Sequence, residues 1–487
     1  MLTDLSFLEQ GQKFPPESEA ARLEMYEINR ALFETKHSDV YKKQLERIER
    51  VIGNFDQVIS YQVLFNFQKK MSLKVADLLL GEPPQITASK ETEQATIDAI
   101  KKKSDLDNTS YETAIDISRY GDGLLYVRQD PKDGAGIIDI TQPSAWFPVV
   151  SPDNVKDVTH HVLAWVYTTG SGDSKRKHLK AMVHEKGAYE IRQHELEGTT
   201  IGREEAVPER FLLPLDDFAV IQIPNVITSD RATGLDDYTD IDSIVAELMV
   251  RVGQVARILD KHADPSMYGP ESALERDPKT GRWSLKAGSY FIAENDAGNA
   301  APVGYIVWDG QLEAAFKQID RLINMLYTIS EMGSALFGDM NDKTGAAPSG
   351  TALRRLMISP LAKVNRIRMR FDPALKKAIR LCSMIGGPGI TSLKDTELSI
   401  KWADGLPGDP MEEATIIDLR TAKKATMSQK RAMMTYDGLS EADAEAELAE
   451  ILDAEAQANP LDIPDIGGEV NEADLEEGED DGQDFTE

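Results

Sequence analysis

Two stretches of this chain repeat an apolar residue at alternating steps of four and three. In "TDIDSIVAELMVRVGQVARILDKH" the repeat is Ile241, Val245, Leu248, Val252, Val255 and Leu259. In "GQLEAAFKQIDRLINMLYTISEM" it is Leu312, Phe316, Ile319, Ile323 and Leu326. That period puts each set on one stripe of an α-helix, the seam through which helices pair. Between the two predicted helices lie residues 263–310, opened by "ADPSMYGP" and containing the strand-like "GSYFIAE" and "VGYIVWDG". One seam alone would be an ordinary core hairpin. Two, with a small α/β insert between them, read as a stalk carrying a cap. Projection from the body leaves each stalk to find its apolar partner in neighbouring copies of the chain.

The rest of the chain supplies that body. Residues 17–80 read as helical, with apolar residues three and four apart in "ARLEMYEINRALFE" and "VISYQVLFNFQKKMSLKVADLLL". "GEPPQ" ends the run, because paired prolines cannot continue a helix. A further helix is predicted over "ETAIDISRY". The period then changes to two: "GLLYVRQ", "GIIDITQ", "AWFPVVS", "HHVLAWVYTT", "HLKAMVHEK", "AYEIRQHEL" and "FAVIQIPN" make residues 121–225 a β-rich module. His160, His161, His184 and His194 fall on these strands without compact ligand spacing, so half-buried or surface histidines are expected rather than a metal site.

Residues 351–385 predict one long helix with nine basic residues: Arg354, Arg355, Lys363, Arg366, Arg368, Arg370, Lys376, Lys377 and Arg380. Pro360 and Pro373 are each expected to remove a ladder hydrogen bond and kink it. Its charge suits phosphate, but pairing with the chain's own acids is the preferred reading. "ELSIKWADG" then predicts a strand returning to the β module. "MEEATIIDLRTAKKATMSQKRAMMTY" and "SEADAEAELAEILDAEAQA" predict polar helices, the second with a capping box at Ser440 and Asp443.

Composition sets the outer limits. The 487 residues, 41% of them hydrophobic, suffice for a large core and more than one module. The lone cysteine, Cys382, rules out a disulfide framework. No signal peptide, no apolar run long enough for a membrane helix and no membrane partner are expected. Of the formal charge of −29, Asp437–Glu487 holds 20 acidic residues and no Lys or Arg, leaving 63 acids against 54 bases elsewhere. The end of that block, residues 461–487, reads as a disordered acidic tail. Such a surface argues against tight, sequence-reading DNA binding.

"GAAPSGT", residues 345–351, resembles a phosphate loop at first sight, yet Thr351 stands where the Walker lysine belongs and no apolar strand precedes it. A nucleotide-binding enzyme using residues 345–351 is therefore the weaker alternative. A non-viral coiled-coil scaffold is another. The plainer reading is a polar loop entering a helix, with Ser349 or Thr351 as N-cap. No catalytic residue, metal or cofactor is assigned.

The order of parts resembles the portal proteins of tailed double-stranded DNA phages, particularly the long-tailed ones. The resemblance is carried by "LLLGEPPQI", "YGDGLLYV", "AWFPVVSPDN", the paired helices about their insert, and "SGTALRRLMISPLAKVNRIRMRF". It implies an α+β portal fold and a ring, typically of a dozen subunits, at one capsid vertex. Residues 1–234 would form the wing, 235–262 and 311–333 the stem, and 263–310 the clip. Residues 334–350 would form the tunnel loop, 351–404 the kinked wing helix and returning strand, and 405–460 the crown. The tunnel loop would bring Gly338, Asp339, Asn341, Asp342, Lys343, Thr344, Gly345, Ser349 and Gly350 to the DNA channel. Arg354, Arg355, Pro360, Lys363 and Pro373 would belong to the helix carrying it. Implied partners are further copies of the chain, the terminase large subunit, a head-completion (adaptor) protein, the major capsid and scaffold proteins, and double-stranded DNA passing non-specifically. Acidic, glycine-rich loops suit that passage, because a strongly basic channel would hold the duplex.

Overall fold

The computed structural model describes residues 1–52, 57–60, 62–88, 90–263, 267–270, 275–276, 283–284, 290–293, 302–305, 312–338, 354–403, 410–421, 425–437, 439 and 441–458. The chain divides into two compact units, Met1–Leu406 and Pro407–Glu487.

The first unit opens with helices α1 (Ala20–Phe33), α2 (His37–Val40) and α3 (Lys42–Leu45), then strands β1 (Glu49–Ile52) and β2 (Gln57–Ser60). Helix α4 (Phe67–Leu80) follows, then β3 (Gln85–Thr87), α5 (Glu91–Lys103) and α6 (Leu106–Tyr120). The expected continuous helicity from 17 to 80 is thus corrected. β1 and β2 pair antiparallel, with Val51 opposite Val58, because β-branched residues favour strand over helix. α4 starts at Phe67, nine residues into the second stretch read as helical, with Asn66 as its N-cap. The Asn66 side chain accepts from Lys69 N at 2.8 Å and donates to Leu32 O and Phe33 O at 2.8 and 3.0 Å, tying the end of α1 to the start of α4.

Residues 122–224 form two sheets rather than one module. Strands β4 (Asp122–Gln129), β5 (Gly136–Ile140) and β12 (Val220–Pro224) make a three-stranded antiparallel sheet in the order β12-β4-β5. Between them in sequence run β6 (Trp146–Val150), β7 (Val158–Thr169), β8 (Arg176–Glu185), β9 (Ala188–Glu197), β10 (Thr200–Glu204) and β11 (Glu209–Leu212). These form an antiparallel sheet ordered β10-β9-β8-β7-β6, with β11 also on β9. One face of this sheet packs Phe147, Val162, Leu179 and Val183 against Leu2, Phe7, Leu8 and Phe14 from the chain start. Trp146 and Leu163 meet Leu124 and Val220 of the smaller sheet.

Helix α7 (Asp242–Ala263) and helix α8 (Leu312–Ile329) pack together. Ile241 and Val245 share a core cluster with Leu326, whereas Leu259 and Phe316 are 50% and 49% exposed. The start of α7 and the end of α8 are therefore rooted in the body, and the pair is an antiparallel hairpin. The described part of the insert holds β13 (Met267–Gly269), β14 (Glu275–Arg276), β15 (Trp283–Ser284), β16 (Tyr290–Ile292) and β17 (Gly304–Tyr305). Its sheet order is β16-β13-β17, and the expected α/β character is β alone among the described residues after Ala263.

The long basic helix, α9, runs Ile358–Ile385 with Met357 as N-cap. Pro360 sits in its first turn, where backbone N–H groups have no partner in the helix to lose, so the kink expected there is corrected. Pro373 is inside the helix. α9 packs on β4, β5, β12, α4 and α5, burying Val364, Ile367, Phe371, Leu375, Ala378 and Ile379. Strand β18 (Ser399–Lys401) pairs antiparallel with β3, Ile400 opposite Ile86, and not with the strands of 122–224. β3, which follows "GEPPQ", was not expected as a strand, and it is the partner of β18.

The second unit contains α10 (Pro410–Thr421), α11 (Gln429–Ala432), a π-helical turn over Met433–Asp437 and α12 (Glu441–Ala458). The first polar helix is thus two pieces, the second capped by Ser428, whose hydroxyl accepts from Arg431 N at 3.2 Å. Ser440 lies outside the described residues, as does the 461–487 tail.

Candidate functional site

The hairpin root is where the predicted stalk, the approach to residues 339–353 and the basic helix converge. Two features of the chain place α7 there. Gly121, at φ +85, and Gly234 cross so closely that a Cβ on Gly234 would stand 1.9 Å from Gly121 O; only glycine fits both backbones. Asp122, wholly buried, then accepts from Gly234 N at 2.9 Å and from Gln222 Nε2 at 2.7 Å. Burial pushes its carboxyl up to about 6. At the first residue of α7, Asp242 accepts from Tyr41 Oη and Gln68 Nε2, both at 2.9 Å, and desolvation likewise raises it to about 6.

α9 closes the same root with charge. Lys363 Nζ lies 2.8 Å from Asp237 Oδ1, the two side chains 7% and 6% exposed. It also donates to Ser330 O, just past α8, at 3.2 Å. Asp237 accepts further from Ser118 Oγ at 2.7 Å and Asn225 Nδ2 at 2.8 Å, which supplies the hydrogen bonds a desolvated pair requires. One turn on, Arg366 pairs with Glu331, a non-glycine residue at φ 59. Lys363 and Arg366 thus fix the turn that leaves α8, ahead of the 3₁₀ turn Ser334–Phe337 and Gly338, itself at φ +85.

The remaining basic side chains of α9 are spent in the same way. Lys376 pairs with Asp372 at 2.7 Å, Lys377 with Asp217 at 2.6 Å and Arg380 with Asp216 at 3.1 Å. Arg368 donates to Leu78 O and Ala403 O, and Arg370 to Asn225 O. Pairing with the chain's own acids, the preferred expectation, holds for Lys363, Arg366, Lys376, Lys377 and Arg380, whereas the carbonyl acceptors of Arg368 and Arg370 were not expected. Arg354 and Arg355 are exposed ahead of the helix.

The predicted seam divides. Ile241, Val245 and Leu248 are buried in this chain's own core with Leu326, so that half does not wait for another copy. Val252, Ile319 and Ile323 are half-buried against it, Val255 is buried, Leu312 is half-buried, and Leu259 and Phe316 remain exposed. Of the loop residues, Gly338 is described and exposed. Asp339, Asn341, Asp342, Lys343, Thr344, Gly345, Ser349 and Gly350 lie outside the described residues, and with them "GAAPSGT". Asp237, Glu331 and the Gly121–Gly234 crossing escape a reading of the sequence, because their partners are distant in the chain and leave no periodic signal.

The strand histidines are more buried than expected. His161, His184 and His194 are all buried, and His160 is half-buried. Trp146 Nε1 donates to His161 Nδ1 at 2.9 Å. Burial lowers His161 to about 3 and His184 to about 4. Among the described residues no His, Cys, Asp and Glu group is arranged to hold a metal ion, and no helix is long and apolar enough to cross a membrane.

The profile of the family described as "Phage portal protein, SPP1 Gp6-like" matches residues 59–461. The chain belongs to this phage portal family. As a portal protein it is a member of a structural family, and its place is in the phage particle. No curated protein matches the portal chain. Among solved structures it is similar to a chain in the neck of an empty gene transfer agent particle computed with C6 symmetry, with TM-score 0.43 and 14% identity over 77% of this chain and 90% of that one. A second is in the neck of the native particle computed with C12 symmetry, with TM-score 0.39 and 12% identity over 75% and 88%. A third, in the virion of the native gene transfer agent particle, gives TM-score 0.41 and 13% identity over 77% and 90%.

Proposed function

We propose that this portal protein assembles as a closed ring of about a dozen copies at one capsid vertex and gives DNA its passage during packaging and ejection. The observation that carries the reading is membership of the portal family across residues 59–461. The hairpin supports it: α7 and α8 root in the body and expose apolar Leu259 and Phe316 away from it. In this reading 1–234 is the wing, 235–262 and 311–333 the stem, and 263–310 the clip that meets the terminase large subunit and later a head-completion protein. Residues 334–350 are the tunnel loop, carried by 351–404, and 405–460 are the crown. Major capsid and scaffold proteins meet the outer surface. The chain performs no catalysis, and the packaging ATPase is a separate protein.

Native mass spectrometry of the purified chain, with class averages from negative-stain electron microscopy, tests this. Rings with a central hole and roughly dozenfold symmetry are the expected result. Particles of only two to four copies would overturn the closed ring.

A further inference from the structure

The start of α4 carries an apolar surface that the rest of the chain leaves open. Phe65, Phe67, Leu73 and, from beyond α8, Phe337 line a groove there together with Asn66, Lys69 and Lys70. The four apolar side chains are half-buried, and Val63 and Leu64, just ahead of them in the chain, are 42% and 39% exposed. The ring centroids of Phe67 and Phe337 are 5.0 Å apart, and Tyr327 backs them at 6.2 and 5.5 Å. The ring planes are inclined to one another by 27° to 53°, so they form a socket for a side chain rather than one flat platform for stacked bases. The groove holds about 500 Å³, within the range of sites that take ligands.

Its charge is one-sided. No acid lines it, although the chain has 83 acids to 54 bases. The Asn66 side chain is already spent on Lys69 N, Leu32 O and Phe33 O. Lys70 is exposed and makes no ion pair among the described residues. Lys69 Nζ lies 5.4 Å from the Phe33 ring centroid, a contact that leaves its charge uncompensated. We propose that this groove seats an acidic segment of a partner protein. One large apolar side chain enters among Phe65, Phe67, Leu73 and Phe337, and flanking carboxylates meet Lys69 and Lys70. Charge selects a polypeptide over nucleic acid. A nucleic-acid strand is charged at every nucleotide and would meet the chain's acidic excess on either side of the groove, whereas a peptide can place its acids at the two lysines alone. Phe337 stands one residue before Gly338, so the occupant touches the chain where it leaves the hairpin root. The groove is formed within one chain, and the inference stands apart from the ring reading.

The probe is a short fluorescein-labelled peptide with one Phe among Asp and Glu residues, titrated into the full-length chain and followed by fluorescence anisotropy. Saturable binding that weakens with added salt is expected. Lys69→Glu with Lys70→Glu is expected to weaken it about tenfold or more, through loss of charge-assisted contacts. Both side chains are exposed, so the unfolding temperature is expected to hold. Lys175→Glu, at an exposed lysine between β7 and β8, is expected to bind as wild type. Replacing the peptide's Phe by Ala is expected to weaken binding about tenfold as well. Should the double variant unfold, the salt series and the Ala peptide on the wild-type chain decide the matter. No binding, binding indifferent to the Phe or to salt, or a folded double variant that binds as wild type would overturn the proposal. So would equal or tighter binding of a thymidylate oligonucleotide of the same length, which would mark a nucleic-acid surface. None of these outcomes bears on ring formation, which is measured separately.

Discussion

Single residues set the strength of the hairpin root. Lys363→Ala would leave Asp237 buried with its charge uncompensated, and a loss of about 3–5 kcal/mol is expected in denaturant unfolding. Loss below about 1 kcal/mol would show that the pair is solvated. Histidines and carboxylates pull in opposite directions with pH. His161 and His184 titrate near 3 and 4 when folded, below the ordinary 6.5. The unfolded chain therefore takes up their protons first, and their contribution is complete above about 6.5 and lost as pH falls towards 4. Asp122 and Asp242 are raised to about 6 from 3.8, so their share is present below 3.8 and lost as pH rises through 6. His184→Phe is accordingly expected to lose less stability than wild type between pH 7 and 4.5, measured by urea unfolding at both values. An equal loss would mean His184 reaches solvent when folded.

At the scale of elements, the sequence was legible where periodicity is local. The seven alternating runs between 121 and 225 became strands, and the two seams became α7 and α8. Context decided the rest. "VISYQVLFNF" carries apolar residues at helical steps, yet its β-branched start pairs with β1 instead. β18 pairs with β3, a choice not legible in the sequence because a three-residue strand carries no mark of its neighbour. Likewise the charge of α9 was visible, but its destination, Asp216, Asp217 and Asp237 on a distant stretch of chain, was not. The two prolines of α9 separate by position. Pro360→Ala is expected to change stability by less than about 0.5 kcal/mol, because a first-turn N–H has no helical partner. Pro373→Ala restores an interior ladder bond and is expected to stabilise, by up to about 3 kcal/mol. Equal effects at the two sites in thermal unfolding would contradict the helix start at Ile358.

Over the whole molecule, charge governs assembly. Each copy brings −29, of which residues 461–487 hold twelve acids and no Lys or Arg. A ring concentrates that repulsion. Deleting residues 461–487 is expected to leave rings intact and to lower the ionic strength at which they form, followed by sedimentation across a salt series. Rings that fail without the tail would make it an assembly element. The placement of α9 has a consequence of another kind, for synthesis. It completes the core formed by β4, β5, β12, α4 and α5, yet begins 134 residues beyond the end of β12. A chain emerging from the ribosome therefore makes its smaller sheet long before the helix that covers it exists. For the time needed to translate that stretch, Leu125, Val127 and Ile138 have no lid. A host that pauses between β12 and α9 prolongs the exposure, and slow codons placed over that interval are expected to raise the aggregated share of the portal protein relative to fast ones.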